Sequence, residues 1–265
     1  MASINTNYGA AIALQNLNKT SSELERTQNR INTGMKVSSA KDSGAIFSIA
    51  TSQRAAAASQ DAVRSSIQRG QSIVDVALAA GDTITSALEE QKGLAVSIAG
   101  STGAAQTSYL AEYNAIGTEI ASALAGATFD GVNLYKANAA AITVQTGAST
   151  SYTLKAIAGA DTAVATTTAA VAGDAATIVA TVDSAITAFT SVLSDFGTKS
   201  KSLGRSITFV NKLQDALEAG VGNLVDADLA KESAKLTALQ TKQQLGVQAL
   251  SIANSASQTL LSLFR

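Results

Sequence analysis

The chain has 265 residues with 19 basic and 20 acidic side chains, a net charge of -1, and no Cys, His, Trp or Pro. Without thiol or imidazole there is no cysteine nucleophile, no Ser-His-Asp relay and no ordinary zinc site. Without a basic stripe there is nothing to neutralise nucleic-acid phosphates, so nucleic acid is excluded as a partner. Average Pro usage of ~5% would supply about a dozen. Their absence points to long uninterrupted helices, because an interior Pro costs ~3 kcal/mol. Hydrophobic residues make up 46% of the chain but aromatic ones only 4%, with Ala prominent. Small side chains of this kind pack helices closely in thin layers and do not fill a thick core. Function is expected to come from surfaces, with no cofactor, no metal and no active site.

The N-terminus, Met1 to Gly9, has neither a cationic start nor an apolar stretch and does not read as a secretory signal. Leu14, Leu17, Leu24, Ile31 and Met35 then fall on a and d positions, interrupted by Ser21 and Gln28. Such a seam is too thin to hold a short helix in water without a partner. Ser38-Ser39-Ala40-Lys41 matches the Ser-x-x-Lys spacing of a nucleophile beside a base. No oxyanion-hole signature accompanies it, so a packed or solvated connecting segment is the expectation.

A longer seam follows in Val63, Ile67, Val74, Ala77, Ile84, Leu88, Ala95 and Ile98, ending at the Gly-Ser-Thr-Gly break of residues 100 to 103. Gly70, Gly81 and Gly93 interrupt it, each at ~1 kcal/mol against Ala, and are tolerable mainly where a neighbour presses close. Tyr109, Tyr113, Ile116, Ile120 and Leu124 mark a further helix. Residues 128 to 173 change character, with an Asp-Gly turn at Asp130-Gly131 and short strands at 142–144 and 152–154 around Gly147. The clearest period lies in residues 178 to 221. There Val182, Phe189, Phe196, Leu203, Val210 and Leu217 recur every seventh position, joined by Ile186, Leu193, Ile207 and Val221. That is one stripe of about six heptads, ~65 Å long.

At the C-terminal end Leu229, Leu236, Leu239, Leu250, Ala253 and Leu260 form a second thin seam, interrupted by Glu232, Gln243 and Gly246. Asp226 is placed as its N-cap with Asp228 in the first turn. No window of ~20 strongly apolar residues is evident, so no membrane span is expected. The fold expected is mainly α: a long antiparallel coiled-coil helical rod with a small β-hairpin region in the middle of the chain.

Several spaced motifs resemble the bacterial flagellins. Ser3-Ile4-Asn5-Thr6-Asn7, Leu14-Gln15-Asn16-Leu17-Asn18, and Asn29 to Gly34 followed by Ser39-Ala40-Lys41-Asp42 are similar to the N-terminal signature. Phe129-Asp130-Gly131-Val132 is similar to the family's Phe-Asn-Gly turn. Leu224 to Leu229 and the terminal Leu260 to Arg265 are similar to its C-terminal signature. The short middle suggests a compact flagellin of the kind seen in alphaproteobacteria such as Caulobacter.

The resemblance implies an inner coiled coil of residues 1–33 with 227–265, a spoke at 34–46, and an outer helical rod over 47–222 that carries the hairpin region 128–173. It implies subunit packing through Ile4, Leu14, Leu17, Leu24, Ile31, Leu229, Leu236, Leu239, Leu250 and Leu260, and an outer seam from Val182 to Leu217. A secreted, extracellular filament protein for swimming is implied, exported unfolded and partnered by itself, paralogous flagellins, an export chaperone, the filament cap and hook-junction proteins. The alternatives are a hook-filament junction protein, and an adhesin or immune-active binding module. In the family, the segment read by the flagellin-sensing Toll-like receptor is typically Gln-Arg-Val-Arg-Glu-Leu-Ala-Val. Here it is Glu89-Glu90-Gln91-Lys92-Gly93-Leu94-Ala95-Val96. Glu90, Lys92 and Gly93 stand where Arg, Arg and Glu are typical, beside a retained Leu94, and receptor activation is expected to be weak or absent.

Overall fold

The computed structural model describes residues 7–136, 141–157 and 177–263, with 164, 167, 170, 171, 173 and 175 between them, and side chains as far as residue 255. Among these residues the chain is mainly α. In order it forms α1 (Tyr8–Thr33), α2 (Gly44–Ala99), α3 (Ala104–Gly126), β1 (Ile142–Gln145), β2 (Ser151–Leu154), α4 (Ile178–Val225) and α5 (Leu229–Leu263). It divides into two compact units, Met1–Ala55 with Ala216–Arg265, and Ala56–Asp215.

Within Ala56–Asp215, α2 and α4 run antiparallel. Lys92 pairs with Asp183 at 2.6 Å, and about eight turns away along α4 Arg64 Nη1 donates to Asn211 Oδ1 at 3.4 Å. The heptad stripe falls between them as its period requires: Val182, Phe189, Phe196, Leu203 and Val210 are no more than 1% exposed, packed with Ile67, Val74, Ile84 and Leu88. Burying each such side chain is worth about 1.5–3 kcal/mol. Leu217, the last of the six, is half-buried and belongs to the other unit. α3 adds Leu110, Tyr113, Ile116 and Ile120, whereas Tyr109 is exposed. One expectation needs correcting: α4 does reach the length and mean hydropathy, 1.2 over 18 residues, of a membrane span. Apart from the exposed Phe209, its large apolar side chains are buried or half-buried, while Ser, Thr, Asp and Lys dominate the other face.

The chain leaves α3 through a tight turn. Phe129 and Val132 exchange two backbone hydrogen bonds at 3.0 and 2.9 Å, with Asp130 and Gly131 between them at φ 53° and 76°. Positive φ at both central residues is a type I′ turn, for which Asp-Gly is a preferred pair. Asn133 then donates to Leu124 O at 2.7 Å and accepts from Tyr135 N at 2.9 Å. This delivers Tyr135 into the core. Its ring stacks on Phe189 at 5.5 Å and meets Phe196 edge-on at 5.4 Å, and its hydroxyl donates to Ala77 O. Burial, helped by the charge on Asp82, drives that hydroxyl's pKa well up. The two strands pair antiparallel, with Ile142 opposite Leu154 and Val144 opposite Tyr152. Val144 and Leu154 are buried against Gly70, where a Cβ would stand 2.6 Å from Val144 Cγ2. Gly81 is likewise closed by Leu193 and Tyr135. Gly93 differs from expectation, because nothing lies within 4 Å of where its Cβ would be.

Candidate self-assembly surface

The terminal unit is held by α1 lying antiparallel to α5. Asn7 caps α1, its Oδ1 accepting from Ala10 N at 3.0 Å, and its Nδ2 reaches across to donate to Ala253 O at 2.8 Å. Midway, a Cβ on Gly246 would stand 3.3 Å from Leu17 Cδ1, so the missing side chain is what admits Leu17. Towards the other end Arg30 Nη1 meets Glu232 Oε1 at 3.0 Å. Gly34 ends α1 in the left-handed conformation at φ 70°, a C-terminal position that Gly fills without strain.

The segment after Gly34 is fastened to the α4–α5 corner. Gly34 O accepts from Ala227 N at 2.8 Å, Met35 bridges to Asp226, and Lys36 N donates to Val225 O at 2.7 Å. Below this corner Val37 and Ala50 are buried with Val221 and Val225. Asp42 gathers the connecting residues: its Oδ2 accepts from the backbone N and the hydroxyl of both Ser38 and Ser39, at 3.0 to 3.2 Å. The backbone amides of Ser39 and Ser38 hold its carboxyl below the usual carboxylate range. The Ser-x-x-Lys spacing therefore serves a turn in which both serines donate to a carboxylate.

The helix cap lies two residues later than expected. Asp228 caps α5, its Oδ1 accepting from Lys231 N at 3.1 Å, while Asp226 N still completes α4 by donating to Gly222 O at 2.8 Å. Asp226 is occupied by the bridge to Met35, which leaves capping to Asp228.

The terminal seam is thin. Leu17, Leu24 and Ile31 are half-buried in α1, as are Leu236 and Leu250 in α5, and only Thr27 and Leu239 are buried in these two helices among the side chains described. Leu14 and Gln28, expected on the seam, are exposed; the inner line is completed by Thr20 and Thr27. Leu17, Leu24 and Ile31 fix only one position per heptad, and the second lies three residues after them, not before. Leu229 is also exposed. Ile4 and the Leu260 side chain lie outside the described residues. The pair thus leaves a set of large apolar side chains uncovered: Tyr8 at 78% and Ile252 at 68% exposure, with Ile12, Leu14, Leu245 and Val247 at about half.

In the other unit, Glu89, Glu90, Lys92 and Gly93 of α2 are exposed and Leu94 is half-buried towards the seam. Gln91 is fully buried, its Nε2 donating to Tyr113 O at 3.1 Å and Thr167 O at 3.0 Å. Sequence reasoning missed Gln91 and Tyr135, since a lone Gln on a helix and a Tyr after a turn carry no periodic signal.

The family model for the bacterial flagellin N-terminal helical region matches residues 4–140, and that for the C-terminal helical region matches residues 179–264. The chain belongs to the flagellin family. It is 52% identical to flagellin FljN and 51% identical to flagellin FljK of Caulobacter vibrioides, each over 99% of this chain and 98% of the relative. A flagellin of Brucella melitensis is 37% identical over the full length of both. This flagellin is a structural subunit of the bacterial flagellar filament, and its family is one of structural proteins rather than enzymes.

Proposed function

We propose that this flagellin polymerises because its terminal helices bury their apolar side chains only between copies. The observation that carries this is the uncovered set on α1 and α5, including Tyr8, Ile12, Leu14 and Ile252, beside a seam with only Thr27 and Leu239 buried. Burial that needs a neighbour makes ordering and assembly one event. In this reading residues 1–33 and 227–265 form the inner layer, 34–46 the spoke, and 47–222 with the 128–173 region the outer rod. Leu17, Leu24, Ile31, Leu236, Leu239 and Leu250 hold α1 to α5. Leu14 and Leu229 face the neighbour, and Ile4 and Leu260 are assigned to the same subunit packing by the family resemblance alone.

The subunit is secreted and works outside the cell, joined by paralogous flagellins, of which Caulobacter vibrioides has several. An export chaperone, the filament cap and hook-junction proteins are its further partners. Toll-like receptor activation is weak or absent, because Glu90 is exposed where a cation is typical and Lys92 is engaged by Asp183. A reporter-cell assay matching an enteric flagellin in potency contradicts that. The test of assembly is Leu250→Asp. It is expected to abolish seeded filament growth in electron micrographs while the Ala56–Asp215 unit melts as before; normal filaments from this variant overturn the proposal.

A further inference from the structure

We propose that Phe209 of one subunit enters a small-residue groove between α2 and α3 of the next, an inference that rests on the filament reading. Phe209 is 61% exposed although the adjacent Val210 is fully buried, since successive helix positions turn by about 100° and the seam takes only Val210. The groove, about 380 Å3, is lined by Val76, Ala79, Ala80, Ala123 and Ala127 with Thr83 and Gly126, and is ample for a phenyl ring. A single exposed Phe is ordinary. The charges around the two features are what commit the occupant to a second copy.

Phe209 sits between Arg205 and Lys212, both exposed, and α4 carries no acid between Asp195 and Asp215. The groove is bordered by Asp82, one turn from Ala79, and Glu119, one turn from Ala123, both exposed. α2 carries no base between Arg69 and Lys92, and α3 carries none at all. A cation-flanked ring and an anion-flanked hole attract each other and fix register, whereas two rings or two grooves repel through their borders. Knob and hole occupy different places on one compact unit, so the contact is heterologous, the class that continues into an open helical array, as the filament reading requires, when its rotation does not close into a ring. The stagger follows from the helix pairing. Gly204 lies at Gln71 and Asn211 at Arg64, so Phe209 stands level with residue 66 of α2, while the groove centres near residue 80. Neighbouring copies are therefore offset by about 20 Å along the α2–α4 pair.

The chain lacks Cys, so crosslinking reads this contact without background. Copies carrying both Phe209→Cys and Ala79→Cys, grown from seeds of the unmodified protein and treated with a short bismaleimide, are expected to give a ladder of covalent multimers on denaturing gels. Each single variant, and Phe209→Cys combined with Ser194→Cys, should remain monomeric. Filaments that yield no ladder overturn the proposal and leave the subunit reading intact; an unmodified chain that forms no filaments sinks both. Independently, Phe209→Ser should raise the critical concentration for growth about tenfold. Arg205→Glu should raise it too and be rescued by Asp82→Arg. A critical concentration unchanged by Phe209→Ser overturns the contact.

Discussion

The two units use one sequence device, an apolar repeat on antiparallel helices, and fill it differently. In Ala56–Asp215 the repeat is made of Val182, Phe189, Phe196, Leu203 and Val210, all at most 1% exposed, plugged at its middle by Tyr135. In the α1–α5 pair it is made of leucines alternating with Thr20, Thr27, Glu232, Gln243 and Gly246, and most of it stays half-open. The difference teaches where folding stops within one chain and where it waits for another. Stripe length matters less than whether every second position is large.

That contrast is breakable. The largest expected effect is from Phe196→Ala, which removes a ring fully buried against Tyr135 and should destabilise the isolated subunit by about 3–5 kcal/mol in urea unfolding. Leu236→Ala in the terminal pair should cost the isolated subunit well under half as much. Equal losses would mean the terminal helices are as firmly folded alone as the inner seam. Next come two glycines on one helix. Gly81→Ala drives a methyl group into Leu193 and to 2.7 Å from the Tyr135 hydroxyl, and should cost about 1–3 kcal/mol. Gly93→Ala meets open space and should stabilise by about 0.5–1 kcal/mol. Melting temperatures moving in the same direction for both would undo the packing argument. Asp228→Ala should then cost about 1 kcal/mol of terminal helix stability by hydrogen exchange, and more than Asp226→Ala costs the same helix.

The smallest effect concerns acid. Asp42 has its pKa lowered by hydrogen bonds from Ser39 and Ser38, so its contribution is present above the ordinary Asp value of ~3.9 and is lost as pH falls through the lower folded value. Amide exchange at Ser38 and Ser39 should quicken only in that acidic window. Asp42→Ala should show the quick exchange already at neutral pH. Protection in the wild type that is constant down to the lowest pH would remove the carboxylate from its clamping role.

How much was legible follows the same physics. The 182–210 seam was readable because a seven-residue period in large side chains has one geometric solution. The hairpin was readable from Ile142, Val144, Tyr152 and Leu154 alternating around turn residues, and the Asp130-Gly131 turn from its pair. The terminal register was half readable: Leu17, Leu24 and Ile31 set one line, and hydrophobicity then favoured Leu14 over Thr20 for the other. Cap assignment slipped from Asp228 to Asp226 because two acids two residues apart look alike until the Met35 bridge is seen. Tyr135, Gln91 and the Asp42 turn depend on contacts far along the chain or on side-chain acceptors, which no local period records. Part of the 128–173 region lies outside the described residues.

The bond from Asn7 to Ala253 joins positions 246 residues apart in sequence. Each end of the polypeptide is thereby the other's counterpart, so a copy clipped at either extremity presents a widowed helix to the growing tip. A chain shortened at either end is accordingly expected to assemble poorly, which seeded growth of the two truncated forms would read.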